Sequence, residues 1–155
     1  MPAYDAFIFD IDGTLLDTLP DLTAVTNTVL ASYGFPQHPA SEILHFVGKG
    51  GRRLIEKAVP AGTSPDVVDE AFKRWQGVHE EMGIRLTKEY DGITEALAAL
   101  KEQGIKLAAL SNKFDGGVQE IVPHFFPGLF EVQHGECDRI PRKPDPTGLL
   151  LTMEE

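Results

Sequence analysis

The sequence predicts an α/β protein: a parallel sheet whose first strand is followed by a helical insertion. Three observations carry the prediction. A short apolar run of β-formers, Phe7, Ile8 and Phe9, lies near the start, residues 17–88 hold almost unbroken helical periodicity, and from residue 93 onward helix and strand alternate.

Ala6 to Phe9 reads as a strand buried on both faces, stopped by Asp10-Ile11-Asp12-Gly13. Leu22, Val25, Val29 and Leu30 recur at helical spacing over Leu19 to Tyr33, and Gly34 with Pro36 closes that segment. A short helical piece runs from Ser41 through Val47, Gly48-Lys49-Gly50-Gly51 breaks it, and Leu54, Ile55 and Ala58 form one face of the next helix, Arg52 to Val59. Ser64 followed by Pro65 marks a capped helix start, carried onward by Val68, Ala71, Phe72, Trp75 and Val78.

After Tyr90-Asp91-Gly92 the pattern changes. A helix from Ile93 to Gln103 is closed by Gly104, and a strand from Lys106 to Leu110 is stopped by Ser111-Asn112. A helix from Phe114 to Val122 ends at Pro123, and Phe130 to Gln133 is a third strand. Arg142-Lys143-Pro144-Asp145-Pro146 then forms a loop before a last helix.

A chain of 155 residues, 42% of them hydrophobic, suits one domain or a small domain with an inserted subdomain. With 24 acidic against 14 basic side chains its net charge is −10, which disfavours nucleic acid or an anionic membrane as a partner. An anionic ligand must be caught locally. The single cysteine, Cys137, rules out an internal disulfide, and the five histidines are too scattered for zinc spacing. No basic-then-apolar leader opens the chain and no window approaches the roughly 18 apolar residues of a membrane span, so a cytoplasmic location is expected.

Ligands of open parallel sheets sit beyond the carboxyl ends of the strands. Asp10, Ser111 and Lys143 all fall on that edge, with Asp12 two residues past Asp10. Two acids, a hydroxyl and an ammonium therefore converge from distant parts of the chain.

Asp10-Ile11-Asp12-Gly13-Thr14 after the first strand, Leu110-Ser111-Asn112-Lys113 after the second and Arg142-Lys143-Pro144-Asp145-Pro146 after the third resemble the first three motifs of the haloacid dehalogenase-like hydrolases. With Tyr90-Asp91-Gly92, they are most similar to the phosphoglycolate phosphatase branch. The resemblance implies a Rossmann-like parallel core over residues 1–16 and 89–155, three strands of which are visible, with a small helical cap over residues 17–88.

It also implies chemistry: Mg²⁺-dependent hydrolysis of a small phosphorylated metabolite, 2-phosphoglycolate being the first candidate. A phosphate monoester is a dianion, so a carboxylate can approach phosphorus only once its charge is neutralised. Asp10 is the expected nucleophile, forming an aspartyl-phosphate, and Asp12 the acid and base. Gly13 and Thr14, through a tight turn and its amides, and Ser111, Asn112 and Lys143 are the expected phosphate ligands. The carboxylate of Asp10 and the backbone carbonyl of Asp12 are the expected Mg²⁺ ligands. Lys49 and Arg52 are candidates for reaching a second anion on the substrate.

Some residues also have ordinary readings. Ser-Asn at a strand end is a common helix cap, the glycine-rich run around Lys49 suits a linker, and Asp17 suits the N-terminus of the next helix. A phosphotransferase of the same superfamily, which excludes water from the aspartyl-phosphate, and a non-catalytic fragment are the competing classes. On the resemblance a fourth acidic motif, with further metal ligands and the remaining C-terminal strands, is expected beyond Glu155. Without them the first strand becomes an exposed edge open to self-association.

Overall fold

The computed structural model describes residues 4–155; Met1 to Ala3, the start of the segment read above for a leader, lie outside the described residues. In chain order the elements are β1 (Ala6–Phe9), β2 (Leu16–Asp17), α1 (Leu19–Ser32), α2 (Ala40–Phe46), α3 (Gly51–Ala58), α4 (Pro65–Met82), β3 (Lys88–Glu89), α5 (Ile93–Glu102), β4 (Lys106–Phe114), α6 (Asp115–Phe125), β5 (Val132–Glu136) and α7 (Thr147–Glu154). They divide into two compact units, residues 4–17 with Lys88–Glu155, and Thr18–Thr87.

The first unit is an α/β layer structure. Its sheet has the order β1-β4-β5, all parallel. Leu107, Ala109 and Leu110 of β4, the central strand, are buried, as are Leu97 of α5 and Val118, Ile121 and Val122 of α6. β1 is an edge of this sheet among the described residues, so Phe7, Ile8 and Phe9 are only half-buried and the expectation of burial on both faces is corrected. β2 and β3 form a separate two-residue antiparallel ribbon, Leu16 opposite Glu89 and Asp17 opposite Lys88. Asp17 therefore lies on a strand, and the acid in the first turn of α1 is Asp21.

β4 does not stop at Ser111. It runs on to Phe114 because its pairing with β5 shifts register after the Leu110 to His134 pair and resumes at Phe114 with Glu136. Gly135 permits this approach: a Cβ built there would stand 2.5 Å from the Lys113 carbonyl oxygen. β5 begins at Val132, two residues later than expected. α6 passes through Pro123, whose exposed ring forfeits one backbone donor while the Phe126 amide still reaches the Val122 carbonyl at 2.9 Å.

The second unit is helical. Leu22, Val25, Val29 and Leu30 of α1, Leu54 and Ile55 of α3, and Val68, Ala71 and Trp75 of α4 share one core. Two of its buried polar side chains are paired within the unit, whereas the buried Thr23 Oγ1 has no hydrogen-bond partner. The Trp75 Nε1–H donates to Thr26 Oγ1 at 3.1 Å. The carboxylate of Asp21 accepts from the amides of Leu86 (3.1 and 3.0 Å) and Thr87 (2.7 Å) and from the Thr87 hydroxyl (2.7 Å). Ser64 occupies the expected cap position of α4 without a side-chain cap bond. Among the described residues, no helix is long and apolar enough to cross a membrane.

Candidate active site

The parallel register of β1 and β4 builds the site. Phe9 is the partner of Ala109, so Asp10 and Ser111 follow one and two residues beyond the last paired rung. The turn leaving β1 is anchored by the fully buried Ile11 and Leu15. Gly13 sits there at φ +77°, a conformation that a side chain would strain. Its amide donates to the Leu16 carbonyl at 2.9 Å, and the amides of Thr14, Leu15 and Leu16 donate to the Ile11 carbonyl at 3.1, 3.0 and 3.1 Å. The amides of Gly13 and Thr14, expected to meet a phosphate, are thus used within the turn, and Thr14 offers its exposed hydroxyl.

Lys143 is held at both ends. Its ammonium donates to the Leu110 carbonyl at 2.7 Å and lies 3.2 Å from Asp10 Oδ1, which also accepts the Ile11 amide at 2.8 Å. Its backbone is clamped by Asn112, whose Oδ1 accepts the Lys143 amide at 2.7 Å and whose Nδ2 donates to the Lys143 carbonyl at 3.3 Å. The Lys143-Pro144 bond inside this loop is cis. Asn112 does not cap α6, whose N-cap residue is Phe114; its carboxamide clamps the Lys143 loop across 31 residues with one bond at each end. Further along the loop Asp145 accepts from the side chain and amide of Thr147, and those bonds hold its carboxyl below the ordinary range.

The second acid has a partner that the sequence reading omitted. Lys113 is a buried lysine on β4, its side chain 5% exposed, with its ammonium 3.6 Å from Asp12 Oδ1. That oxygen is buried and accepts no hydrogen bond. The amide of Lys113 donates to Ser111 Oγ at 3.1 Å, which leaves the buried Ser111 hydroxyl its proton to give. No local pattern reveals it, because Ser111 and Asn112 beside it are polar and its carboxylate partner lies about a hundred positions away.

Two carboxylates, two ammonium groups and a hydroxyl donor thus share one sheet edge. Such a set can neutralise and orient a dianion while keeping an acid beside it. For Mg²⁺ the donors are hard oxygens, and one or two carboxylates with substrate phosphate and water suffice. The half-exposed Asp10 carboxylate fits that minimal set together with the Asp12 backbone carbonyl, although no cluster of three acidic, histidine or cysteine ligands occurs among the described residues. Lys49 and Arg52 belong to the helical unit. Lys49 is exposed before α3, and Arg52 on its first turn is paired with Asp69 at 2.7 Å and with Glu56 at 4.0 Å.

Comparison with known proteins places this geometry in a family. Residues 7–155 match the model of the haloacid dehalogenase-like hydrolases. The chain is 31% identical over 153 residues to phosphoglycolate phosphatase 1 of Pseudomonas aeruginosa, covering 95% of this chain and 56% of that protein. It is 34% identical over 155 residues to the phosphoglycolate phosphatase of Psychrobacter arcticus, covering 95% of this chain and 67% of the other. A crystal structure described as a predicted phosphoglycolate phosphatase of Haemophilus somnus superposes with a TM-score of 0.89 at 28% identity, over 97% of this chain and 71% of that one. The chain therefore spans about half to two thirds of the length of these curated relatives. It belongs to the haloacid dehalogenase-like hydrolases, and its fold is theirs.

Proposed function

We propose that this haloacid dehalogenase-like hydrolase is a phosphomonoesterase of small phosphorylated metabolites, working through an aspartyl-phosphate. One observation carries the reading: Asp10, at the end of β1, stands 3.2 Å from the Lys143 ammonium, beside an Asp12 oxygen that is buried and unbonded. The first is the arrangement of a nucleophile that must meet an anion; the second holds one oxygen of Asp12 inward and leaves its other oxygen to exchange a proton.

The steps follow from the residues. Lys143, the Ser111 hydroxyl and the Thr14 hydroxyl bind phosphoryl oxygens, while Asn112 holds the Lys143 backbone in place. The Asp10 carboxylate attacks phosphorus, the ester P–O bond breaks, and Asp12 delivers its proton to the departing oxygen. Asp12, now a carboxylate, takes a proton from water, whose oxygen attacks phosphorus; the bond to Asp10 breaks and inorganic phosphate leaves. Mg²⁺, held by the Asp10 carboxylate and the Asp12 backbone carbonyl, would supply charge neutralisation for the phosphoryl group.

The relatives' names make 2-phosphoglycolate the first substrate to test. The helical unit is proposed as the family's cap, with Lys49 and Arg52 as its cations for a substrate carboxylate, and the enzyme is assigned to the cytoplasm. Phosphate release should be measured over a panel of phosphomonoesters that includes 2-phosphoglycolate, with and without Mg²⁺, for the protein and for Asp10→Asn. We expect Mg²⁺-dependent release that Asp10→Asn lowers by about 10³-fold or more while the circular dichroism spectrum stays unchanged. Comparable turnover by the purified variant would remove Asp10 from its role, and no release from any member would remove the phosphatase reading.

A further inference from the structure

We propose that Lys113 is a positioning residue for this site, fixing Asp12 through its ammonium and Ser111 through its amide. The inference rests on the phosphatase reading for its catalytic consequence and on geometry alone for the pairing.

Burying an ammonium is costly unless an opposite charge meets it. Lys113 is 5% exposed, and its charge partner at 3.6 Å is Asp12, itself 16% exposed. The surroundings are built to keep it there. Gly117 leaves room for the stem, since a Cβ at that position would lie 3.3 Å from Lys113 Cε and 2.9 Å from the Phe114 ring. Gly135 lets β5 close against the Lys113 backbone, and the Gly135 amide is tied to Asp115 Oδ1 at 2.8 Å. Two glycines without space for a side chain thus fix the segment from both sides.

The distance matters as much as the charge. At 3.6 Å the ammonium lies outside hydrogen-bonding range, so it draws Asp12 Oδ1 inward without occupying a lone pair. The carboxylate is held in one orientation, and its other oxygen is left to exchange a proton with the leaving group and with water. Through its amide the same residue occupies one acceptor site of Ser111 Oγ, at 3.1 Å, and so directs the hydroxyl proton elsewhere. One strand residue therefore orients the acid and the phosphate donor together.

A double-mutant cycle over Lys113→Met and Asp12→Asn tests this. Methionine keeps the length of the stem and removes the charge. For an alkyl phosphate we expect Lys113→Met to lower kcat about 10- to 100-fold with KM changed less than about threefold, because orientation and not binding is lost. For nitrophenyl phosphate, whose leaving group needs no proton, the loss should be several-fold smaller. Adding Lys113→Met to Asp12→Asn should cost less than about threefold more, because the lysine then has no acid to position. Multiplying losses in the double variant, or equal losses with both leaving groups, would overturn the proposal.

A second arm needs no turnover. In urea unfolding, each single variant leaves one buried charge unpaired, so the double variant should be more stable than the two single effects added together predict. If no phosphomonoester is hydrolysed, the phosphatase reading fails, yet this arm still decides the pairing. Additive stability effects would show that Lys113 does not hold Asp12.

Discussion

Asp21 in the helical unit and Asp12 in the sheet unit are both carboxylates withdrawn from water, and their surroundings are opposite. Asp21, 3% exposed, accepts from two amides, that of Leu86 shared between both its oxygens and that of Thr87, and from the Thr87 hydroxyl, so its charge is satisfied by fixed dipoles and it ties the end of the helical unit to the first turn of α1. Asp12 has one oxygen buried with no hydrogen bond and an ammonium 3.6 Å away. A fully bonded acid has nothing left to give, and its value lies in the native structure alone. An acid kept short of partners costs stability and keeps the capacity to move a proton.

Exchanging the charge at the satisfied acid breaks the comparison most strongly on the stability side. Asp21→Asn sets an amide NH₂ where only donors point and should cost about 3 kcal/mol in urea unfolding. Phosphate release per folded molecule should be unchanged. A variant as stable as the parent would mean that these bonds are not what holds that segment.

Gly135→Ala is the next largest and acts on the sheet unit. The added Cβ would stand 2.5 Å from the Lys113 carbonyl oxygen and 2.6 Å from Asp115 Cα, backbone atoms that can yield only if β4 and β5 separate. The expected cost is about 1–3 kcal/mol, together with reduced turnover in the fraction that remains folded. Full activity with a small loss of stability would show that the Lys113 segment need not be fixed so closely.

The smallest effect is a pH dependence of the helical unit. His38 Nε2 faces the Ala58 carbonyl at 2.7 Å and Nδ1 faces Glu42 Oε2 at 2.6 Å, two acceptors that only the doubly protonated ring satisfies together. The bond to Ala58 raises its pKa above the ordinary 6.5, burial opposes the rise, and Glu42 adds to it. Because the folded value is raised, this contribution is complete below pH 6.5 and disappears as pH rises through the folded pKa. It should amount to less than about 1 kcal/mol. An NMR titration giving His38 an unshifted or lowered pKa would remove it.

How far the sequence reaches differs between these regions for a physical reason. The apolar faces of α1 and α3 were legible because burial writes a periodic pattern into the chain, and Leu22, Val25, Val29, Leu54 and Ile55 are all buried as their spacing demands; β1 was legible as a short run of β-formers although it is only half-buried. The convergence of Asp10, Ser111 and Lys143 was legible from the topology of parallel strands. The continuation of β4 through Ser111-Asn112-Lys113-Phe114 was not, because polar residues that signal a cap locally are here held by β5 and by Lys143, partners far along the chain. Lys113 escaped notice for the same reason: its role depends on a carboxylate about a hundred positions away, and nothing in its neighbours announces that pairing. The two-residue ribbon of β2 and β3 is too short to carry any period.

The central claim is that Asp12 is an acid kept available to move a proton. The most direct test compares alkyl phosphate with nitrophenyl phosphate as substrates of Asp12→Asn, by phosphate release under saturating Mg²⁺. The account predicts a loss of about 10²- to 10⁴-fold for the alkyl ester and a much smaller loss for the nitrophenyl ester, whose leaving group departs without a proton. Equal losses with the two esters would contradict it.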